Sequence, residues 1–174
     1  MGKEVLTRRP EPNDVPGIYR VMRESRREAF DELLPPDALD WDADVSEEFR
    51  DFIHNRLAHE KMALLVAISR ETIVGVIELV WLPEETQSFV APSEAELPAI
   101  HVRPEYWNEG VGTQLLKEAI TLPPSRLSGI APSVLADNER ARTFYERRGF
   151  VQDGTTTTTF ASEERTEAVY RHTL

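Results

Sequence analysis

The sequence 107-WNEGVGTQLL-116 contains two glycines, one residue apart, directly before a segment with the apolar pattern of a helix. An apolar run at 95–102 precedes it and predicts a strand. The first turn of a helix has unpaired N–H groups and carries the positive end of the helix dipole. Because glycine lets the backbone approach an anion closely, the turn is either an anion-binding site or only a tight connection between strand and helix.

Two familiar phosphate-binding motifs do not fit this turn. The Walker A motif requires Lys and then Ser or Thr after its last glycine, but Thr113 follows Gly112 directly. The dinucleotide fingerprint requires a third glycine three residues further on, and Leu115 occupies that position. The glycines alone therefore leave the identity of the anion open.

The rest of the chain has the pattern of one α/β domain over residues 1–174, with a mixed sheet and helices on both faces. Strands are predicted at 3–10, 62–69, 73–82, 95–102, 127–136, 150–160 and 165–174. Helices are predicted to about Phe30 from a cap at Asn13 or Asp14, from a cap at Ser46 through Leu57, over about 110–120, and from Asn138 to Gly149. Pro98 inside its strand indicates an edge, a bulge or a splayed partner.

The composition excludes several classes of protein. The net charge is −11 and the pI about 4.9, whereas a nucleic-acid-binding protein needs a basic surface. There are no cysteines, so disulfides and cysteine-based metal sites are ruled out. The N-terminus lacks the apolar core of a signal peptide and no run of apolar residues is long enough to span a membrane, so we expect a cytoplasmic protein. The acidic, lysine-poor composition also suits a halophilic source.

A second motif, 138-NERARTFYERRGF-150, has the pattern of a helix that Gly149 ends. Asn138, Ala141 and Tyr145 recur at spacings of three and four residues, so they share one face of this helix. Asn138 can cap the helix or bond to a ligand amide, Ala141 leaves room beside the helix, and Tyr145 has a hydroxyl that can give a proton. The alternative is an amphipathic helix with a half-buried tyrosine.

The spacing N-x-x-A-x-x-F-Y-x-x-x-G-F, following a strand, a loop and a helix that begins with G-x-G, resembles the GCN5-related N-acetyltransferase (GNAT) family. The loop signature of that family is R/Q-x-x-G-x-G/A, and residues 107–112 keep both glycines but have Trp107 at the Arg/Gln position. The resemblance implies a mixed, mostly antiparallel sheet of six to seven strands, with a splay between the fourth and fifth strands.

The resemblance also implies acetyl-coenzyme A as the acyl donor, with no metal. The donor pyrophosphate is expected on the glycine loop, which comprises Trp107, Asn108, Glu109, Gly110, Val111, Gly112 and Thr113. Its pantetheine arm is expected to pair with the backbone of Ile100, His101 and Val102, and the helix with Asn138, Ala141 and Tyr145 is expected on its other side.

For catalysis, the resemblance assigns Tyr145 as the acid that protonates the departing thiolate. Glu96 is the candidate base, because it lies on the fourth strand at the spacing of the base glutamate in the histone-acetylating members. Glu78 and Glu94 are alternatives, and a mechanism without a strong base is another.

The acceptor is expected to be a primary amine of a small molecule or a peptide. Nine carboxylates and no Lys or Arg lie from Glu28 to Glu48, in the region that shapes the acceptor site of the family. They either attract a cationic amine or form a solvated acidic surface. The remaining alternatives are a catalytically weak acyl-CoA-binding regulator and a transferase for a longer acyl group, as a monomer or a homodimer.

Overall fold

A computed structural model of the chain describes residues 3–160 and 162–174. The strands are β1 (Leu6–Arg8), β2 (Met62–Ser69), β3 (Thr72–Val80), β4 (Glu94–Val102), β5 (Gly129–Ala131), β6 (Ser133–Leu135), β7 (Val151–Phe160) and β8 (Glu163–Thr173). The helices are α1 (Val15–Phe30), α2 (Pro36–Leu39), α3 (Glu47–Ala58), α4 (Val111–Ala119) and α5 (Glu139–Glu146), and short 3-10 turns occupy Pro12–Asp14 and Pro104–Tyr106.

The strands form one eight-stranded sheet in the order β1-β2-β3-β4-β5-β8-β6, with β7 also paired to β8. Every strand pair is antiparallel except β4 and β5, which run parallel. The predicted mixed, mostly antiparallel sheet is therefore confirmed. The sheet has one strand more than expected because the strand predicted at 127–136 divides at Pro132, whose missing N–H cannot continue the ladder.

Helices cover both faces of the sheet and bury two apolar clusters. Leu115 of α4 and Tyr145 of α5 lie in the cluster on one face. Ile18 of α1 and Ile53 of α3 lie in the cluster on the other. No helix within the described ranges is long and apolar enough to cross a membrane.

Local signals predicted the helix starts with mixed success. Ser46 caps α3 as expected, because its Oγ accepts a hydrogen bond from the backbone N–H of Phe49 at 3.1 Å. The predicted cap at Asn13 or Asp14 is wrong, since no side chain caps α1. The Asp14 carboxylate instead accepts from the backbone N–H of Glu11 and pairs with Arg8 at 2.6 Å.

Pro98 lies in a β-bulge of β4. Glu78 is opposite Ala99 while Val80 is opposite Glu96, so β4 has one more residue than β3 between these two pairs. A bulge accommodates a residue that has no N–H for the ladder. It bends β4 just where its pairing with β5 ends.

Candidate active site

A gap opens in the sheet between β4 and the β5–β6 segment. The two strands pair only at Glu94–Gly129, Ala95–Ile130 and Glu96–Ala131. Beyond these pairs Pro132 interrupts the second strand, and β6 pairs with β8 instead of β4. The predicted splay between the fourth and fifth strands is therefore present.

The edge of β4 along this gap offers backbone groups from alternate residues. The N–H of Arg103 bonds to the Val74 carbonyl of β3 at 2.9 Å, so the two-residue alternation of an antiparallel ladder turns the N–H and C=O of His101 toward β3 as well. Ile100 and Val102 consequently present their N–H and C=O groups to the gap. The backbone role predicted for His101 is revised accordingly.

The His101 side chain lies on the α1 face, where its Nδ1 is 3.2 Å from Ser25 Oγ. Burial, with a smaller effect from the charge of Arg26, lowers the pKa of His101 to about 4. The ring is therefore neutral at physiological pH.

The glycine turn begins α4 without any side-chain cap. Gly110 has φ +84° and Asn108 has φ +62°, and a Cβ placed on Gly110 would meet nothing within 4 Å. Gly112 differs, because a Cβ there would approach Phe144 to 3.1 Å. Gly110 therefore supplies the left-handed turn and open space beside unpaired N–H groups, whereas Gly112 allows α4 and α5 to pack closely.

The loop residues on either side of Gly110 have distinct environments. The Trp107 indole Nε1 donates to the Val102 carbonyl at 2.7 Å, so the loop is tied back to β4. Asn108 is exposed and Glu109 is half-buried. Val111 is buried in the core, so only its backbone can face an anion.

Two arginines of the α5 motif lie beside this turn, and the sequence analysis did not single them out. The Arg140 guanidinium is 4.1 Å from the centre of the Trp107 ring. Arg148 Nε donates to Thr113 Oγ1 at 3.0 Å, which places a cation at the first turn of α4. A cation at the positive end of a helix is unfavourable until an anion joins it. Burial, and to a smaller extent the nearby Arg147, lower the pKa of Arg148.

Asn138 caps α5 through its side chain. Its Oδ1 accepts from the backbone N–H of Ala141 at 3.1 Å. Ala141 is half-buried and packs against the core cluster that contains α4. The capping role is thus one of the two that the motif left open for Asn138.

Tyr145 is enclosed by aromatic rings. Only 3% of it is exposed, and its ring contacts Phe150 at 5.1 Å and Tyr170 at 6.2 Å between centroids. Burial raises the pKa of the Tyr145 hydroxyl, so it remains protonated at neutral pH. The Tyr170 hydroxyl, by contrast, donates to Glu146 at 2.7 Å and accepts from Arg142.

Three acidic side chains meet on the α1–α3 side of the gap. Ala95 and Leu97 of β4 lie in the α4-side core, so Glu96 points to the opposite face. Burial raises the pKa of Glu96, a hydrogen bond from the Gln87 N–H opposes this, and the charges of Glu78 and Glu167 raise it further. Glu167 of β8 was not singled out by the sequence analysis, because only the fold brings it near β4.

The three candidate bases are not equally available. Glu78 is paired with Arg56 of α3 at 2.8 Å, and Glu94 is paired with Arg171 of β8. Glu96 accepts one hydrogen bond, from the backbone of Gln87 at 2.8 Å, and has no ion pair within the described residues. Its carboxylate is the one that no cation neutralises.

The segment between α1 and α3 crosses the gap. Leu34 and Leu39 pack with Leu135 of β6, and Phe30 packs against the same cluster. All nine carboxylates from Glu28 to Glu48 are exposed. The segment therefore has an apolar inner side and an acidic rim.

Neither the size of a cleft nor a cluster of metal ligands indicates another active centre among the described residues. A cleft of about 650 Å³ lies away from the gap, at the edge formed by the N-terminal segment and the β2–β3 turn, and includes Lys3, Arg70 and Tyr106. No cluster of three or more acidic or histidine residues suited to a metal occurs in residues 3–160 and 162–174.

Residues 19–150 match the family model described as the acetyltransferase (GNAT) family. The chain belongs to this family. As a member of the GNAT family it is an acyltransferase, and acetyl-coenzyme A is the donor that GNAT enzymes use.

Solved GNAT structures share the whole fold. PaiA N-acetyltransferase from Thermoplasma acidophilum, in complex with coenzyme A, has a TM-score of 0.77 at 19% identity, covering 98% of this chain and 99% of that one. A GNAT-family acetyltransferase from Streptococcus pneumoniae has a TM-score of 0.71 at 23% identity, with coverages of 98% and 99%. The ribosomal-protein-S18-alanine N-acetyltransferase of Escherichia coli has 0.68 at 18%, with 98% and 94%. At these identities the likeness shows the fold.

We predict that Arg148→Met raises the dissociation constant of coenzyme A about tenfold, because a charged hydrogen-bond donor is removed from the first turn of α4. Isothermal titration calorimetry at low salt measures this dissociation constant. Added salt should reduce the difference in affinity between the variant and the natural protein. Arg147→Met is the matched control, since Arg147 is the exposed neighbour. Equal weakening by both substitutions would contradict a phosphate site at this turn.

Proposed function

We propose that this protein is an N-acetyltransferase that moves the acetyl group of acetyl-coenzyme A to a primary amine by direct attack in a ternary complex. The observation that carries the proposal is the gap beside β4, which begins at an unpaired carboxylate and leads to an uncapped helix N-terminus with an arginine beside it. An acceptor amine requires a base, a thioester requires an open strand edge, and a pyrophosphate requires a helix N-terminus. The three features follow one another along the gap in this order.

On this proposal, the turn from Asn108 to Thr113 holds the donor pyrophosphate with backbone N–H groups, and Arg148 adds charge. The pantetheine arm pairs with Ile100 and Val102 along the edge of β4. Trp107 acts through packing, since its ring lies under Arg140.

The remaining loop and α5 residues have smaller parts. Ala141 leaves room for the donor beside α5, and Asn138 holds the first turn of that helix. Glu109 places a negative charge near the pyrophosphate and so weakens rather than strengthens the site.

The reaction needs two proton transfers and one oxyanion site. The amine nitrogen forms a bond to the thioester carbonyl carbon, and Glu96 accepts the proton that the nitrogen loses, directly or through water. The N–H of Ile100, which points into the gap, donates to the oxyanion. The carbon–sulfur bond then breaks, and Tyr145 gives its proton to the leaving thiolate. The products are the N-acetylated amine and coenzyme A.

Glu96 is the preferred base for electrostatic reasons. Burial raises the pKa of Glu78 as it does that of Glu96. The guanidinium groups of Arg56 and Arg171, however, occupy oxygens of Glu78 and Glu94, whereas no cation among the described residues pairs with Glu96. A raised pKa makes a carboxylate a stronger base at neutral pH.

We expect Glu96→Gln to lower kcat about 100-fold, the usual scale of a lost general base. A protonated carboxyl cannot accept a proton, so kcat of the natural enzyme should fall as the pH drops through the raised pKa of Glu96. That acid limb should lie above the ordinary glutamate value of about 4.3 and vanish in the variant. Steady-state rates at saturating amine across pH measure both effects.

Glu94→Gln is the control for this experiment, because the Glu94 carboxylate is held by Arg171. It should leave the acid limb in place. An acid limb that survives Glu96→Gln and disappears in Glu94→Gln or Glu78→Gln would assign the base to that residue instead.

Tyr145→Phe should reduce kcat by about tenfold or more, because an acid on the leaving group is lost, while the ring still fills the core. The dissociation constant of coenzyme A should change little. Tyr170→Phe removes a hydroxyl that bonds to Glu146 and Arg142, so it should lower stability and leave kcat nearly intact. Thiol release and coenzyme A titration separate the two readouts; unchanged kcat in Tyr145→Phe would remove the acid role.

A second candidate is a catalytically weak acyl-CoA-binding protein. It is favoured by one contact, since Trp107 already occupies the Val102 carbonyl that pantetheine could use. Incubation with acetyl-coenzyme A and a panel of primary amines, followed by free thiol, distinguishes the two. Donor binding without thiol release from any amine supports the weak binder, and longer acyl donors in the same assay test the acyl length.

A further inference from the structure

The guanidinium of Arg26 on α1 is held without a carboxylate partner. Its Nε is fully buried and has no hydrogen-bond partner among the described residues. Burial alone lowers the pKa of Arg26, so no nearby carboxylate offsets the loss of water around this cation.

Two aromatic rings fix where this guanidinium lies. Its central carbon is 5.7 Å from the centre of the Phe30 ring and 5.1 Å from that of Trp41. Both rings lie within reach of a cation–π contact, and they restrict the directions from which a ligand can reach the guanidinium.

Arg26 lies next to the gap, on the α1 face of the sheet. The charge of Arg26 acts on His101, whose side chain leaves β4 on the α1 face. Phe30, on the next turn of α1, packs into the cluster that contains Leu135 of β6. Arg26 thus lies between β4 and β6, the two strands that border the gap, on the face of the sheet opposite α4 and the glycine turn.

A planar guanidinium in such a position matches a carboxylate. Arginine binds carboxylates through two parallel N–H···O bonds, and it does so more strongly where water is excluded. The acidic rim from Glu28 to Glu48 makes a wholly anionic ligand unfavourable, because all nine of its carboxylates are exposed. A ligand that carries an amine as well as a carboxylate satisfies both the rim and Arg26.

We propose that Arg26 binds a carboxylate of the acceptor, so that the acceptor is a primary amine with a carboxylate close by, as in an amino acid or an acidic peptide N-terminus. The inference rests on the proposed acetyl transfer. On this geometry the carboxylate is held at the His101 end of the gap, and the amine is directed toward the middle of β4, where the thioester lies.

The test compares acceptors that differ only in the carboxylate. A free α-amino acid and its carboxamide are assayed at equal concentrations of the neutral amine, together with peptides that begin with an acidic or a neutral residue. Thiol release gives kcat/KM for each. The natural enzyme should favour the carboxylate member of at least one pair by about tenfold or more. Preference within the free pair, or only within the peptide pair, tells which source the acceptor has.

Three variants assign the preference to Arg26. Arg26→Met keeps an apolar stem beside the rings. It should remove the preference for carboxylate acceptors by lowering kcat/KM for those acceptors alone. Arg26→Lys keeps the charge without the fork and should retain only part of the preference. Arg27→Met, at the exposed neighbouring position, should behave as the natural enzyme.

Two other results have separate meanings. If amines are acetylated with no carboxylate preference in the natural enzyme, or if Arg26→Met lowers all acceptors equally, the role of Arg26 is overturned and acetyl transfer stands. If coenzyme A fails to bind and no amine releases thiol, the proposed function itself fails. Titration of coenzyme A with Arg26→Met, which should match the natural protein, shows that the variant is folded.

Discussion

The loss of pairing between β4 and β5 after Glu96 and Ala131 is the constraint on which the rest of the site depends. Backbone N–H and C=O groups that leave a ladder must find other partners. On the β5–β6 side of the gap, Pro132 has no N–H to satisfy, and β6 pairs with β8. On the β4 side, Ile100 and Val102 direct their N–H and C=O groups into the gap, and the Trp107 indole donates to the Val102 carbonyl.

The gap separates two electrostatic environments. On the α4 and α5 side, the helix dipole, Arg140 and Arg148 favour an anion, although the whole protein has a net charge of −11. On the α1 and α3 side, Glu96 and Glu167 and the exposed rim favour an ammonium group. On the proposed function, a donor with phosphates and an acceptor amine are directed to opposite faces and meet at the thioester in the gap. On the acidic side, the buried Nε of Arg26 has no hydrogen-bond partner among the described residues, which is why the position of Arg26 bears on acceptor choice.

Much of the fold followed from local sequence. The apolar runs of β2 and β3, the cap at Ser46 and the glycine that ends α5 all act over a few residues, so they could be recognised without the structure. The lack of an N–H at Pro132 fits the implied splay, but the division of the 127–136 strand into two was not predicted, because mostly apolar residues lie on both sides of this proline. Asp14 was assigned as a cap because its type is right, but its carboxylate bonds to Arg8 and to the Glu11 N–H in the turn that precedes α1.

The site was predicted in part for the same reason. Glycine-turn geometry and the Asn138–Tyr145 face are properties of single segments. The positions of Arg148 beside Thr113 and Glu167 beside Glu96 depend on elements far apart in the chain, and that of Arg26 beside Trp41 depends on the path of the segment after α1. No spacing rule connects them, and the backbone direction of His101 depends on the register with β3.

The most direct test of the account is amide hydrogen exchange at β4, followed by NMR with and without coenzyme A. The N–H groups of Ile100 and Val102 face the gap and should exchange quickly in the unliganded protein and slowly once coenzyme A is bound. The His101 N–H, which bonds to β3, should be protected in both states. Tight binding of coenzyme A with unchanged exchange at Ile100 and Val102 would show that the donor does not lie along the opened edge of the sheet.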